Sequence, residues 1–386
     1  MNVSHRKIIL TLGALTAIGP LSIDMYLPAF PEIARTFGST TAGVEASLAS
    51  YFFGLALGQL FYGTATDRLG RKRPLYFGLV LYIVSSVACA FAPSVQSLVF
   101  LRFFQALGAC SGMVVSRAMV RDLFDHRESA RIFSLLMLVM GIAPIVAPLV
   151  GGYVTILAGW RGIFGIMAVF SALCLAAIAI LLPETRGPNP EVRISRTLSA
   201  YASILRDKSF LGYVFAGGFG QAGMFAYITG SPYVFIDLFG VPAQSYGWIF
   251  GTNALGLIAL SQLNGRLLRT KSPDQILRFA LAVIAVAGVG LAIAGIAEAG
   301  FWIVAPLLFF YVATLGMMMP NTSAGALARH TTTAGSASAL MGTCQFLCAF
   351  AASTFVSAFH NGSAVPMTWT IGTCGCLAWI VKRKLT

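Results

Sequence analysis

The stretch IGPLSIDMYLPAF, residues 18–30, carries one acid, Asp24, near the end of an apolar run that starts at Ile8. A carboxylate in such a run is costly unless it is protonated, paired or hydrated. A second charge, Arg102, lies inside the apolar stretch 96–117. With a helical rise of about 1.5 Å per residue, Asp24 sits roughly 8 Å below the end of its run, and Arg102 roughly 9 Å below the end of its own. The two share a depth, and the chemistry they offer is proton binding. Desolvation favours the acid form of a carboxyl and a nearby arginine favours the carboxylate, so a group between the two exchanges protons near neutral pH. The static alternative is that Asp24 only caps the chain before Pro28-Ala29-Phe30-Pro31, or holds a fixed ion pair.

The elements that must position these groups follow from composition. The chain has 386 residues, 57% of them hydrophobic and 10% charged. Soluble domains carry about 25% charged residues, so this chain belongs in lipid. A spanning helix needs about 20 mostly apolar residues. Twelve candidate runs occur, near 8–29, 46–66, 75–92, 96–117, 133–156, 162–182, 209–231, 245–265, 275–297, 301–321, 335–358 and 364–381. Strand-like alternation is absent, which argues against a membrane β-barrel. The opening MNVSHRK leads into an apolar run reaching about residue 30 with no A-x-A site after it, so it reads as a retained first span rather than a cleaved signal.

Nearly all of the basic residues fall in alternate connections: Arg6-Lys7, Arg68 to Arg73, Arg121 to Arg131, Arg186 to Lys208, Arg266 to Arg278 and Lys382-Arg383-Lys384. The other connections hold only Arg35 and Arg161. This asymmetry predicts that both termini are cytoplasmic. It also accounts for the net charge of +13 without nucleic acid, which would require one basic groove. The longest polar segment, PETRGPNPEVRISRTLSAYASILRDKS, divides the spans six and six. The expected units are residues 1–182, a cytoplasmic linker loop 183–208, and residues 209–386. GLALGQLFYG at 54–63 matches GLIALSQLNG at 256–265, and FGST at 37 matches FGVP at 239 with the same offset. An internal repeat in a membrane protein suggests two related bundles with a site between them.

The loop GTATDRLGRKRPL, 63–75, sets Gly63, Asp67, Arg68, Gly70, Arg71 and Lys72 in an order more specific than a basic cluster. It resembles the signature G-x-L-A-D-R-x-G-R-K of the major facilitator superfamily. LRFFQALGACSG, 101–112, resembles that family's R-x-x-Q-G-x-G pattern, with Ala106 for the usual Gly. MGIAPIVAPLVGGYV, 140–154, places Gly141, Pro144, Pro148, Gly151 and Gly152 on one helical face, and resembles the motif of the antiporter subset, with Ala147 where Gly is usual. The counterpart of the loop motif in the second half is degenerate, with Arg269 where Asp67 would fall. PLSIDMYLPAFPEI followed by GRKRP, RFFQALG and GWRGIF resembles the bicyclomycin/chloramphenicol-resistance (Bcr/CflA) branch of the drug:proton antiporters. The resemblance covers the whole chain and is strongest in the first six spans. It implies an exporter of the bacterial inner membrane driven by the proton gradient, with no cofactor, and it does not name the drug.

Other signals are weak. GFGQAG, 218–223, matches G-x-G-x-x-G only formally, since no strand precedes it; helix-packing glycines are the simpler account. Met317-Met318-Met319 reads as core or lipid contact. Tyr26, Tyr51, Gln221, Tyr227 and Gln345 are candidates for a substrate cavity, although such groups also bond helices to one another. The seven cysteines lie in apolar stretches without metal-site spacing, and Cys344 and Cys348, on one face, have no nearby His or acid. No motif for ATP hydrolysis or proteolysis is present, so no enzyme and no metal are expected.

The expected fold is all-α: about twelve spanning helices in two pseudo-symmetric six-helix bundles around a central cavity. The expected function is proton-driven export of small drugs by alternating access, through a monomer surrounded by lipid. In that scheme Asp24 and Arg102 couple to protons, the Gly63–Lys72 loop latches one state, and the Pro/Gly face of the fifth span resists leak. The alternatives are a carrier for an endogenous metabolite on the same fold, or a channel or membrane sensor, for which no selectivity filter is visible.

Overall fold

A computed structural model describes residues 3–188, 194–330 and 333–385. The helices are α1 (Val3–Asp24), α2 (Phe30–Thr36), α3 (Thr41–Leu69), α4 (Lys72–Ala90), α5 (Val95–Leu123), α6 (His126–Leu181) and α7 (Ile194–Ile204). They continue with α8 (Lys208–Ser231), α9 (Ala243–Leu267), α10 (Pro273–Ile296), α11 (Phe301–Leu327), α12 (Ala334–Ala358) and α13 (Val365–Leu385). A short 3-10 turn, Leu27–Ala29, follows α1, and a π-helical turn, Pro232–Leu238, extends α8. There is no strand among the described residues.

Eight of the helical stretches among the described residues are long and apolar enough to cross a membrane, and one of these, Arg131–Leu181, is long enough to cross twice. That stretch covers the expected fifth and sixth spans. They run on as one 56-residue helix that turns sharply at Gly159, where φ is +67°. A residue with a Cβ rarely adopts that angle, so glycine permits the reversal without a loop. With α8, α9 and α13, which match the expected spans in length, the chain crosses twelve times. Its apolar exposure fits: Leu10, Phe77, Phe91, Leu157, Ile180 and Trp302 are among many large side chains facing outward.

The packing repeats. In the first half α3 lies on α5, α4 on α5 and α6, and α1 on α5 and α6. In the second half α9 lies on α11, α10 on α11 and α13, and α8 on α11, α12 and α13. Each pairing in one half has its counterpart six crossings later. The halves meet along a seam formed by α3 against α12 and α6 against α9.

The connections after α3, α5, α6, α9 and α11 lie with both termini at one end, called here the basic end; those after α1, α4, α8, α10 and α12 lie at the opposite end. The expected linker is not a plain loop. Residues 189–193 lie outside the described residues, but α7 follows them and packs Tyr201 and Ile204 against Phe210, Val214, Ala337, Ala339 and Leu340, with Leu60 of the first half alongside.

Glu184, in the PETR segment, ties the basic end together. Its carboxylate accepts hydrogen bonds from the backbone N–H groups of Arg71 (2.8 Å) and Lys72 (3.1 Å). Those are orphan donors of α4's first turn. The Lys72 ammonium donates to the Leu182 carbonyl at 2.8 Å. Glu184→Ala should destabilise the protein by about 0.5–2 kcal/mol, the usual cost of a lost cap, while Glu184→Gln, which keeps one acceptor, should lose less. Thermal melting in detergent measures both; equal loss in the two variants would show that the carboxylate charge matters rather than the cap.

Candidate functional site

The first half has a polar centre built on Arg102 of α5, which is fully buried. One guanidinium edge donates to the Ser22 carbonyl of α1 at 2.9 Å, and another donates to Gln105 Oε1 at 2.5 Å. Gln105 passes the chain on, donating from Nε2 to Ser86 Oγ at 2.7 Å. The Ser86 hydroxyl donates to the Tyr82 carbonyl at 2.7 Å, and the Tyr82 phenol meets Ser22 Oγ at 2.5 Å. The circuit thus returns to Ser22, joining α1, α4 and α5. The guanidinium also lies over the rings of Tyr51 (4.3 Å to the centroid) and Tyr26 (4.7 Å), two cation–π contacts in a buried site. The Tyr26 hydroxyl is 3.0 Å from Ser47 Oγ of α3.

Asp24 is the last residue of α1 and is 4% exposed. It shares a depth with Arg102 but not an ion pair: Arg102 holds the backbone two residues earlier, at Ser22. Among the described residues no hydrogen bond or ion pair reaches the Asp24 carboxyl. Across the seam Tyr227 of α8 and Tyr246 of α9 are within electrostatic reach of it. The Tyr227 hydroxyl accepts from Asn253 Nδ2 at 3.0 Å, and the Tyr246 hydroxyl is 2.6 Å from Ser231 Oγ. Both phenols are thereby oriented by their own half.

The Pro/Gly face of α6 explains why Asp24 sits at the seam. A methyl on Gly151 would collide with the Met25 carbonyl, so only glycine lets α6 lie against the end of α1. A Cβ on Gly152 would be 3.3 Å from the Ala243 carbonyl of α9, and one on Gly141 would be 3.1 Å from Ile258 of α9. Between them Pro144 and Pro148 lie inside the helix. This one face therefore touches α1 on one side and the other half on the other.

The remaining candidates separate. Tyr26 and Tyr51 lie against the Arg102 guanidinium and Tyr227 faces Asp24. Gln221 of α8 and Gln345 of α12 lie half-buried in the second half, where the Gln221 Oε1 has no partner. In this conformation the rings of Phe52 and Phe225 meet across the seam at 4.5 Å, and those of Phe53 and Phe350 at 5.0 Å.

At the basic end Arg71 donates to Asp67 at 2.8 Å and to Asp122 at 2.8 and 3.3 Å. Burial works against the Arg71 charge, but the hydrogen bonds and charges of Asp122 and Asp67 prevail and strengthen its hold on the proton. Gly63 lies where α3 meets α12, its would-be Cβ 3.3 Å from Ala339. Gly70 takes φ +85° to end α3, and Arg68 is exposed.

Two charges escaped the sequence reading. Arg117 of α5 lies half-buried, and among the described residues no hydrogen bond or ion pair reaches its guanidinium. Glu45 of α3 is fully buried, and neither carboxyl oxygen has a hydrogen-bond partner among the described residues. The signal in the sequence was an acid in TAGVEAS, just before a span; its burial comes from the other half of the chain.

Comparison with known proteins adds the relatives. A family model described as Major Facilitator Superfamily matches residues 12–353. The chain is 37% identical over 360 residues, 92% of its length and 89% of the relative's, to a Bacillus subtilis (strain 168) protein described as an uncharacterized MFS-type transporter, YdgK. It is 33% identical over 380 residues, 98% of its length and 96% of the relative's, to a Haemophilus influenzae protein described as a bicyclomycin resistance protein homolog. The crystal structure of a D-xylose–proton symporter superposes with a TM-score of 0.75 at 16% identity, covering 98% of this chain and 97% of that one; at that identity the likeness speaks for the fold alone.

The Arg102 circuit generates a test. Arg102→Lys keeps the charge but cannot reach two acceptors in one plane. It should lower stability by about 1–3 kcal/mol, read as a reduced melting temperature in detergent. Gln105→Leu, which breaks the circuit at one point, should cost less. An Arg102→Lys protein as stable as the parent would show that charge alone suffices there.

Proposed function

The chain belongs to the Major Facilitator Superfamily and is a transporter, not an enzyme; from that premise we propose that it exports small drugs in exchange for protons. The drug class is suggested by the Haemophilus influenzae relative described as a bicyclomycin resistance protein homolog. The observation that carries the proton reading is Asp24: a carboxyl buried at the seam without a partner of its own, facing the second half. A carboxylate there is costly, so the closed seam favours the acid. Rocking of the two halves, residues 1–182 against 209–386 about the linker 183–208, wets Asp24 from one side and then from the other. Arg102 acts here as a positioning residue. It fixes the end of α1 through Ser22 and forms no salt bridge with Asp24. Tyr26, Tyr51, Tyr227, Gln221 and Gln345 would then line the drug path as the seam parts.

The Asp67–Arg71–Asp122 cluster, with Gly63 against α12, supports a latch of the basic end. Asp67→Asn should therefore slow transport more than it weakens drug binding; equal losses of both in purified protein would count against a latch. The basic end is taken as cytoplasmic, with the protein a monomer in the bacterial inner membrane. A cysteine at Ser203 of α7 should then resist a membrane-impermeant thiol reagent in intact cells, and ready labelling would reverse the orientation and the export reading.

Asp24→Asn should abolish uphill export and drug-induced proton release. It should spare binding of a neutral drug, because the amide resembles the protonated acid. Proton release and uphill export that survive in Asp24→Asn vesicles would place the proton carrier elsewhere.

A further inference from the structure

At the opposite end the seam contains a buried acid that the reading above does not use. Glu45 lies one turn into α3, fully buried, with both carboxyl oxygens unpartnered. The imidazole of His360, in the connection from α12 to α13 of the other half, lies with Nδ1 3.9 Å from Oε1. That distance is too long for a hydrogen bond. Burial lowers the pKa of His360, so the imidazole is disposed to be neutral. Beside it the Ser357 hydroxyl donates to the Ala42 carbonyl at 2.7 Å, a direct bond between the halves one turn from Glu45.

The other groups around it do not supply a counter-charge. Tyr233, in the π-helical turn, packs edge-on against His360 at 4.4 Å. Asp237 of the same turn is close enough to repel charge on Glu45, and Arg35 of α2 acts on Asp237. Arg35, Thr41, Tyr233 and Asp237 line a cavity of 360 Å³ at this end. Thr41 is four residues before Glu45 on α3, so Glu45 lies one turn beneath that cavity.

We propose that Glu45 is a second proton-binding site, which holds a proton while the seam is closed at this end and releases it when the seam opens. A carboxylate with no hydrogen bond, next to Asp237, is the disfavoured form in the closed seam. Parting α3 from α12 lets water from the cavity reach Glu45, and the carboxyl ionises. The proton leaves to that water, so the step balances without another reactant. Opening at this end then becomes harder as the adjoining solution becomes more acidic. The proposal rests on the alternating-access reading above but not on the role given to Asp24.

Spin labels at Thr36→Cys and Asn361→Cys, both exposed and on opposite sides of the seam, report the opening as a distance in the purified full-length protein. The native cysteines are buried or half-buried, which favours labelling at the two introduced sites. In the parent the ratio of open to closed forms should rise about tenfold per pH unit while one proton is released on opening. Asp24→Asn should keep this dependence. Glu45→Gln should lose it and stay closed across the range, because an amide does not ionise. Asp237→Asn keeps Glu45 but removes the neighbouring acid that disfavours its carboxylate; its midpoint should move to lower pH. A slope that persists in Glu45→Gln overturns the proposal, as does one that vanishes in Asp24→Asn while Glu45 is intact. If Glu45→Gln fails to fold, an unmoved Asp237→Asn midpoint overturns it instead.

Discussion

An arginine side chain cannot be left unpaired in the middle of a membrane bundle, and the first half is arranged around meeting that demand for Arg102. Its guanidinium takes a backbone carbonyl from α1, a side-chain amide from α5, and two aromatic faces from α1–α2 and α3. Each partner comes from a different stretch of chain, so the arginine fixes the spacing of three helices at once. What it leaves out is as informative. The carbonyl is used in place of the nearby Asp24, and the acid is left to face the second half. The Asp24 carboxyl is thus held in position by a residue that forms no ion pair with it.

The second constraint is close approach. Gly151 brings α6 against the end of α1, while Gly141 and Gly152 bring the same helix against α9. Packing between α6 and α9, and between α3 and α12, then forms a seam of side chains with few hydrogen bonds across it. The Thr343 hydroxyl to the Ala56 carbonyl at 3.3 Å and Ser357 to Ala42 at 2.7 Å are such links. Contacts of this kind can part without leaving many polar groups unsatisfied, whereas the circuit inside the first half cannot. Rigidity within a half and looseness between halves have the same source, the distribution of polar partners.

Much of this was legible in the sequence. Twelve spans, the all-α fold, the basic asymmetry and the family resemblance all follow from hydropathy and from loop motifs, because lipid forces backbone groups to be satisfied within each helix. The depth of Asp24 and Arg102 followed from helical rise, but which oxygen the arginine would choose did not, since that depends on how α1 is rotated. Glu45 was passed over because it stands just outside the apolar run, and it becomes buried through residues far along the chain. Helix α7 was read as loop because its short amphipathic stretch lies within a polar, proline-rich segment. The turn at Gly159 was expected only as a boundary between spans, since one glycine among many carries no local mark of a positive φ.

That turn has a consequence for what the molecule shows to its surroundings. Spans five and six reverse within a single residue, and the joins after α4 and α10 are only a few residues long. At these three joins little chain stands clear of the helices. The longer connections at that end, from α1 to α3 and from α8 to α9, are themselves wound into α2 and the π-helical turn. Together they line the hollow beside Tyr233, with Pro31 and Arg35 from one half and Tyr233 and Asp237 from the other. A macromolecule that bound in that hollow would hold both halves at once, as a wedge or a plug.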